Sequence, residues 1–359
     1  TPHWETSLHL PGPPTAFRVG DNALPDAVIW GSLPDRGGLL MVPPVASSRF
    51  AVVGPLPLAQ ESGPWVARPN EFWTSTESVL TIHDSTRAGF PALASTDFVL
   101  DPTIWPSKDR AHQPAARLVA TDVGALALLR KQWVHLHRTA FGTIATDPWP
   151  LGAEEWVLDV AGNRVLVWDS EQLSYQGYQL HPDSAPVLLP ALAWSGSHAD
   201  KTGAWEVVDA ALGPGNLFAA AEAFSGATLY NAGTIVDRVT DLQATAVAVV
   251  DEHTWLVAGE STDPSVAPAA LLEVRRDGAT VLTVPLPGAP RQLLAPEPGR
   301  TLALWDEGLS VIDESGHVET FAGRIEEVQL GAGWGIGAPG GELILRFTSQ
   351  PGWWVVVVK

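Results

Sequence analysis

Glycines at positions 89, 142, 177, 233, 278, 316 and 352 close a pattern that recurs along the chain. In "GRTLALWDEGLSVIDESGHVETFAG" (299–323) an apolar run gives way to a short acidic turn, a second run, a turn closing on Gly316 and a third run. "NLFAAAEAFSGATLYNAGTIVDRV" (216–239) repeats that order around Gly233, and "LVWDSEQLS" (166–174) is the closest internal match to "LALWDEGLS" (302–310). The glycine steps average about 44 residues, enough for four short strands and their turns. Apolar runs of about four to eight residues bounded by Gly, Pro, Asp or Asn read as strands. The best helical periods, "GALALLRKQW" (124–133) and "LFAAAEAF" (217–224), are short and lie beside glycine.

One such unit is a small twisted antiparallel sheet that cannot cover both of its faces, so the units must stack. A linear stack needs capping ends, whereas this chain finishes on "WWVVVVK" (353–359), a strand that needs neighbours. On this pattern the chain resembles the β-propeller repeat proteins at the level of the superfold. The resemblance implies an all-β fold, a single domain over 1–359, with eight blades favoured and seven possible. Two packed sandwiches are the runner-up. Residues 95–116 are expected as a long loop between blades and 195–205 as an insertion between strands. "HWETSLHL" (3–10) is expected to close the last blade, and "GGLLM" with "FAVV" to form an eighth, weaker hairpin. No blade family fits. The "WD" pairs at 168–169 and 305–306 lack the Gly-His partner of WD40 blades, kelch double glycines are missing, and "SHADKTGAW" (197–205) has the wrong spacing for a sialidase Asp box.

Composition narrows the function. Forty acidic against 21 basic residues give a formal charge of −19, and no basic run occurs. That disfavours nucleic acid and anionic membrane surfaces, which need clustered Lys and Arg. The longest apolar runs are far short of a membrane span. The chain has no Cys and one Met, Met41, which excludes disulfides and zinc–thiolate sites. Resistance to oxidation and a Thr1 start suit a processed, secreted or extracytoplasmic protein, although the chain carries no signal peptide. There is no GxSxG, Walker or HExxH motif and no GxGxxG after a strand; the Gly-rich "GWGIGAPGG" (333–341) reads as a strand and a turn rather than the opening of a helix.

"KQWVHLHRTAFG" (131–142) sets two histidines two apart. In a strand, His135 and His137 share a face. Two ligands are half a metal set, and the third strand of a blade lies away from the channel, so the pair is read as structural and no metal site is expected. Calcium is the one cofactor left open, on acidic loops that lack a contiguous DxDxDG.

In a propeller, one face carries the loops joining second to third strands and blade to blade. Those loops collect Glu71, Asp97, Asp101, Asp147, Asp169 and Asp306 beside Trp73, Trp105 and Trp149. Carboxylates among indoles suit a sugar or a protein surface. His198, Asp200 and Trp205, in the expected insertion, are candidate partner contacts. The reading is a non-enzymatic, rigid binding platform for a protein or glycan. The alternatives are a secreted carbohydrate hydrolase or lyase using paired carboxylates, and a structural subunit of a larger assembly.

Overall fold

The computed structural model describes strands from residue 17 to 358 and nearly every connection between 117 and 330. Most connections before 117, and residues 196–206, 331–340 and 348–352, fall outside the description. Every element described is a strand, turn or bend, and no helix occurs among the described residues. Two compact units divide the chain. One comprises residues 1–99, 307–310 and 319–359; the other comprises 100–306 and 311–318.

β1 (Phe17–Val19), β2 (Ile29–Ser32) and β3 (Leu39–Val42) form a three-stranded sheet, followed by β4 (Phe50–Pro55). β5 (Val66–Arg68), β6 (Glu71–Ser75), β7 (Val79–Asp84) and β8 (Ala92–Asp97) form a four-stranded antiparallel sheet in chain order. The next sheet is β9 (Arg117–Thr121), β10 (Gly124–Leu129), β11 (Gln132–Arg138) and β12 (Ile144–Pro150). It is followed by β13 (Glu155–Ala161), β14 (Arg164–Asp169), β15 (Ser174–His181) and β16 (Ser184–Ser195). Then come β17 (Val207–Leu212), β18 (Leu217–Glu222), β19 (Gly226–Asn231) and β20 (Thr234–Val239). β21 (Leu242–Val249), β22 (Thr254–Ser261), β23 (Ala270–Arg276) and β24 (Ala279–Pro285) repeat the arrangement. So do β25 (Gln292–Glu297), β26 (Arg300–Trp305), β27 (Gly308–Asp313) and β28 (Val318–Ala322). β29 (Ile325–Leu330), β30 (Gly341–Phe347) and β31 (Trp353–Val358) complete the chain, and β4 adds to them as the fourth strand.

The described strands thus make seven four-stranded sheets and one of three. β4 pairs with β31, Phe50 opposite Val358 and Val52 opposite Val356. The segment that joins the last sheet is therefore 50–55, while 3–10 lies outside the described residues. The expected weak hairpin is split, since "GGLLM" supplies β3 and "FAVV" supplies β4.

Both stretches with a helical period are strands. In β18, "LFAAAE", every residue is buried. Phe218 and Ala220 enter one core cluster, with Trp168, Tyr175 and Tyr230. Leu217, Ala219 and Ala221 enter the next, with Trp255 and Val257. Alternation between two cores is a period of two, and small alanines let neighbouring sheets approach closely. Burying one side chain such as Phe218 contributes about 1.5–3 kcal/mol.

Turn chemistry explains the glycine period. Ala232–Gly233 (φ 48° and 76°) joins β19 to β20, and Asp277–Gly278 (φ 50° and 79°) joins β23 to β24. Two successive positive φ values mark the type I′ turn whose twist matches a hairpin. Gly142 and Gly316 also have positive φ, between the third and fourth strands of their sheets. Gly177 differs. It lies inside β15, where a Cβ would come 2.2 Å from the Leu192 Cβ of β16. Gly89 and Gly352 lie outside the described residues.

The first strands are stitched from sheet to sheet at β-bulges. Leu212 N–H of β17 donates to Asp159 Oδ2 of β13 at 2.7 Å. Val247 N–H of β21 donates to Asp209 Oδ2 of β17 at 2.9 Å. Each aspartate directly follows the extra residue of a bulge, Leu158 or Val208, and is itself back in register, opposite Leu166 or Ala221.

Candidate functional site

The stretch around the two histidines is β11, flanked by β10 and β12. Trp133, His135 and His137 alternate onto one face, and all three are buried. Trp133 belongs to a core cluster with Val165, Val167 and Leu180 of the following sheet, so that face is covered. The ladder sets His135 directly opposite Asp147 and Trp133 opposite Trp149 on β12. His135 and His137 are 1% and 4% exposed, their ring centroids 5.5 Å apart. Asp147 Oδ2 stands 3.4 Å from His137 Nδ1. One donor atom from each of His135, His137 and Asp147 lies within 4.8 Å of the others. The half set read from the sequence therefore gains a third member across the ladder. Among the described residues, these three could hold a metal.

Elsewhere the buried polar groups serve the fold. Tyr175 and Tyr230 both donate to Glu222 Oε1, at 3.4 and 2.9 Å, in a pocket closed to solvent. Burial, and then the neighbouring hydroxyl and the Glu222 charge, push Tyr175 well above its ordinary pKa; burial and the same carboxylate raise Tyr230. Arg275 of β23 grips both oxygens of Asp237 on β20, at 2.7 and 2.9 Å, and Trp255 Nε1–H adds a third bond at 2.9 Å. Burial opposes the Asp237 charge, but the guanidinium and indole donors outweigh it and hold the carboxyl below its usual range.

The sequence-derived candidates scatter. Glu71 and Trp73 lie within β6 rather than in a loop, and Trp73 is 0% exposed. Its indole is part of the core and does not face solvent. Asp147 and Trp149 likewise sit in β12, where Trp149 packs on the cluster around Trp133. Asp169 ends β14, buried, and its Oδ1 accepts from the Glu171 and Gln172 amides at 3.0 and 2.9 Å. That accounts for one "WD" pair: a core indole followed by a turn cap. Asp97 and Asp306 are exposed at the end of β8 and in the turn after β26. Asp101, Trp105, His198, Asp200 and Trp205 lie outside the described residues.

Aspartates in other turns act as caps in the same way. Asp251 Oδ1 caps the His253 and Thr254 amides, and Asp313 Oδ1 caps Ser315 and His317. Sequence reasoning missed a different surface. Val187 and Leu188 on β16, Ile235 and Val236 on β20, and Val281 on β24 are 47–53% exposed, each on the edge strand of its sheet. Val236 and Val281 are the extra residues of β-bulges, each three positions after the glycine of a type I′ turn.

No protein family is matched by the chain, and no curated protein matches it. Among solved structures it is similar to the WD40 domain of Toxoplasma gondii coronin, at 9% identity and a TM-score of 0.51, covering 86% of each chain. It is also similar to the Neurospora crassa Pan2 WD40 domain, at 7% identity and a TM-score of 0.50, over 83% of this chain and 89% of that one. A functionally unknown protein from Desulfotomaculum acetoxidans is similar at 11% identity and a TM-score of 0.50, over 80% and 92%. The fold is a β-propeller, as the repeat implied. At these identities the likeness concerns the fold alone.

Proposed function

We propose that the chain is a non-enzymatic β-propeller that serves as a rigid platform for a protein partner. One observation carries the reading: exposed branched apolar side chains recur on the edge strands of three successive sheets. Single exposed apolar residues are ordinary on any surface. Recurrence on β16, β20 and β24 is not, because edge strands usually carry charge to prevent association. Neighbouring sheets meet here, since a Cβ on Gly233 would lie 3.1 Å from Ala193 O of β16. A net charge of −19 favours a partner whose rim is basic.

The test is affinity capture with the intact chain and with a Val187→Asp, Ile235→Asp, Val281→Asp variant. These side chains are exposed, so the variant keeps its fold, as far-UV circular dichroism would confirm. A protein retained by the intact chain should be lost on the variant, with a drop of at least about tenfold for an apolar contact of this kind. Equal retention by both would overturn the assignment of the surface. Saturable binding to a glycan array without any protein partner would overturn the proposed class of partner.

A further inference from the structure

We propose that His135, His137 and Asp147 form a binding site for a Zn²⁺-type divalent transition-metal ion, bridging β11 and β12. The donor set is the first argument. Two imidazoles and a carboxylate are the ligands that zinc, cobalt and nickel take, whereas calcium seeks six to eight oxygens. Geometry is the second. With metal–ligand bonds of about 2.0–2.1 Å, neighbouring donors of a tetrahedral site lie roughly 3.3 Å apart. His137 Nδ1 and Asp147 Oδ2 are 3.4 Å apart, already at that spacing. The widest donor pair is within 4.8 Å, so rotamer adjustment of roughly 1.5 Å closes the set.

The third argument is placement. His135 and His137 are held on a paired central strand, and Asp147 is fixed opposite His135 by the ladder. Asp147 Oδ2 is buried and makes no hydrogen bond, although the side chain as a whole is 34% exposed. One oxygen is thus turned inward towards the imidazoles, while the exposed edge of the carboxylate gives an ion a way in. An ordinary histidine–carboxylate pair looks different here: His253 Nδ1 and Asp277 Oδ1 meet at 2.9 Å with both side chains about 70% exposed. Such a pair needs one histidine. The buried site brings two, and three protein donors leave a fourth position for water or for a donor from a partner.

The test is titration of the chelator-treated full chain with Zn²⁺ and with Co²⁺, followed by calorimetry and visible absorption. Binding of one ion per chain is expected, with the intense d–d bands of tetrahedral Co²⁺. His135→Ala and His137→Ala should each abolish those bands, Asp147→Asn should weaken binding more than about tenfold, and His253→Ala should leave it unchanged. Where a histidine variant fails to fold by circular dichroism, X-ray absorption on the zinc-loaded native chain decides, because two imidazoles bonded to the ion are required. No saturable binding, binding that survives in the double histidine variant, or an ion surrounded by oxygen alone would each overturn the proposal.

Discussion

Glu222 ends β18 with no exposed surface and accepts hydrogen bonds from the hydroxyls of Tyr175 and Tyr230. The arrangement has a consequence for pH dependence. Burial and the carboxylate raise both phenols above the ordinary value of 10.0, so the folded chain holds these protons more tightly than the unfolded one. Their contribution is fully present below about pH 10 and is lost as pH rises further, by up to about 1.4 kcal/mol per pH unit for each tyrosine. Midpoint temperatures followed from pH 9 to 12 should therefore fall steeply above pH 10. In a Tyr175→Phe, Tyr230→Phe variant the fall should be shallower; parallel curves would contradict the assignment. None of this is legible in the sequence, where Glu222 is one acid in an alanine run. The i, i+2 histidines were legible and Asp147 was named as a loop carboxylate, but their meeting was not legible, because it depends on which residue the ladder sets opposite His135.

At the scale of the strand and turn, most of the repeat could be read directly. Gly233 and Gly278 in type I′ turns, and Gly142 and Gly316 in longer ones, all take the positive φ that glycine adopts without strain, and so they mark real junctions between third and fourth strands. Gly177 was misread for an equally physical reason. A glycine that allows close approach of Leu192 looks the same in a sequence as one that makes a turn. "LFAAAE" carries a helical signal because alanine favours helices, yet it forms the strand that the repeat implied, packed between two cores. The two glycine roles predict different costs. Gly278→Ala meets no atom within 4 Å and bears only backbone strain, about 1–2 kcal/mol. Gly226→Ala combines positive φ with a Cβ 1.9 Å from Val239 O, a backbone atom that cannot yield, and should cost ~3 kcal/mol or more. Urea denaturation of the two variants checks the order; equal midpoints would contradict it.

For the molecule as a whole, composition and period together identified the fold class, whereas several residues assigned to loops lie in strands. The loop assignments failed where strands ran longer than their apolar cores, as in β6 and β12, which carry Glu71, Trp73, Asp147 and Trp149. One of the acidic residues that suggested a ligand surface, Asp169, is the cap of a tight turn. The surface proposed for the partner lies on edge strands, where branched apolar residues look like ordinary strand formers until their exposure is known. The most direct measurement of that claim is amide hydrogen exchange on the chain, free and within the complex captured through it. The account predicts protection on β16, β20 and β24, with the turns at 169–172 and 306–307 unchanged. Protection of those turns with the edge strands unaltered would contradict it.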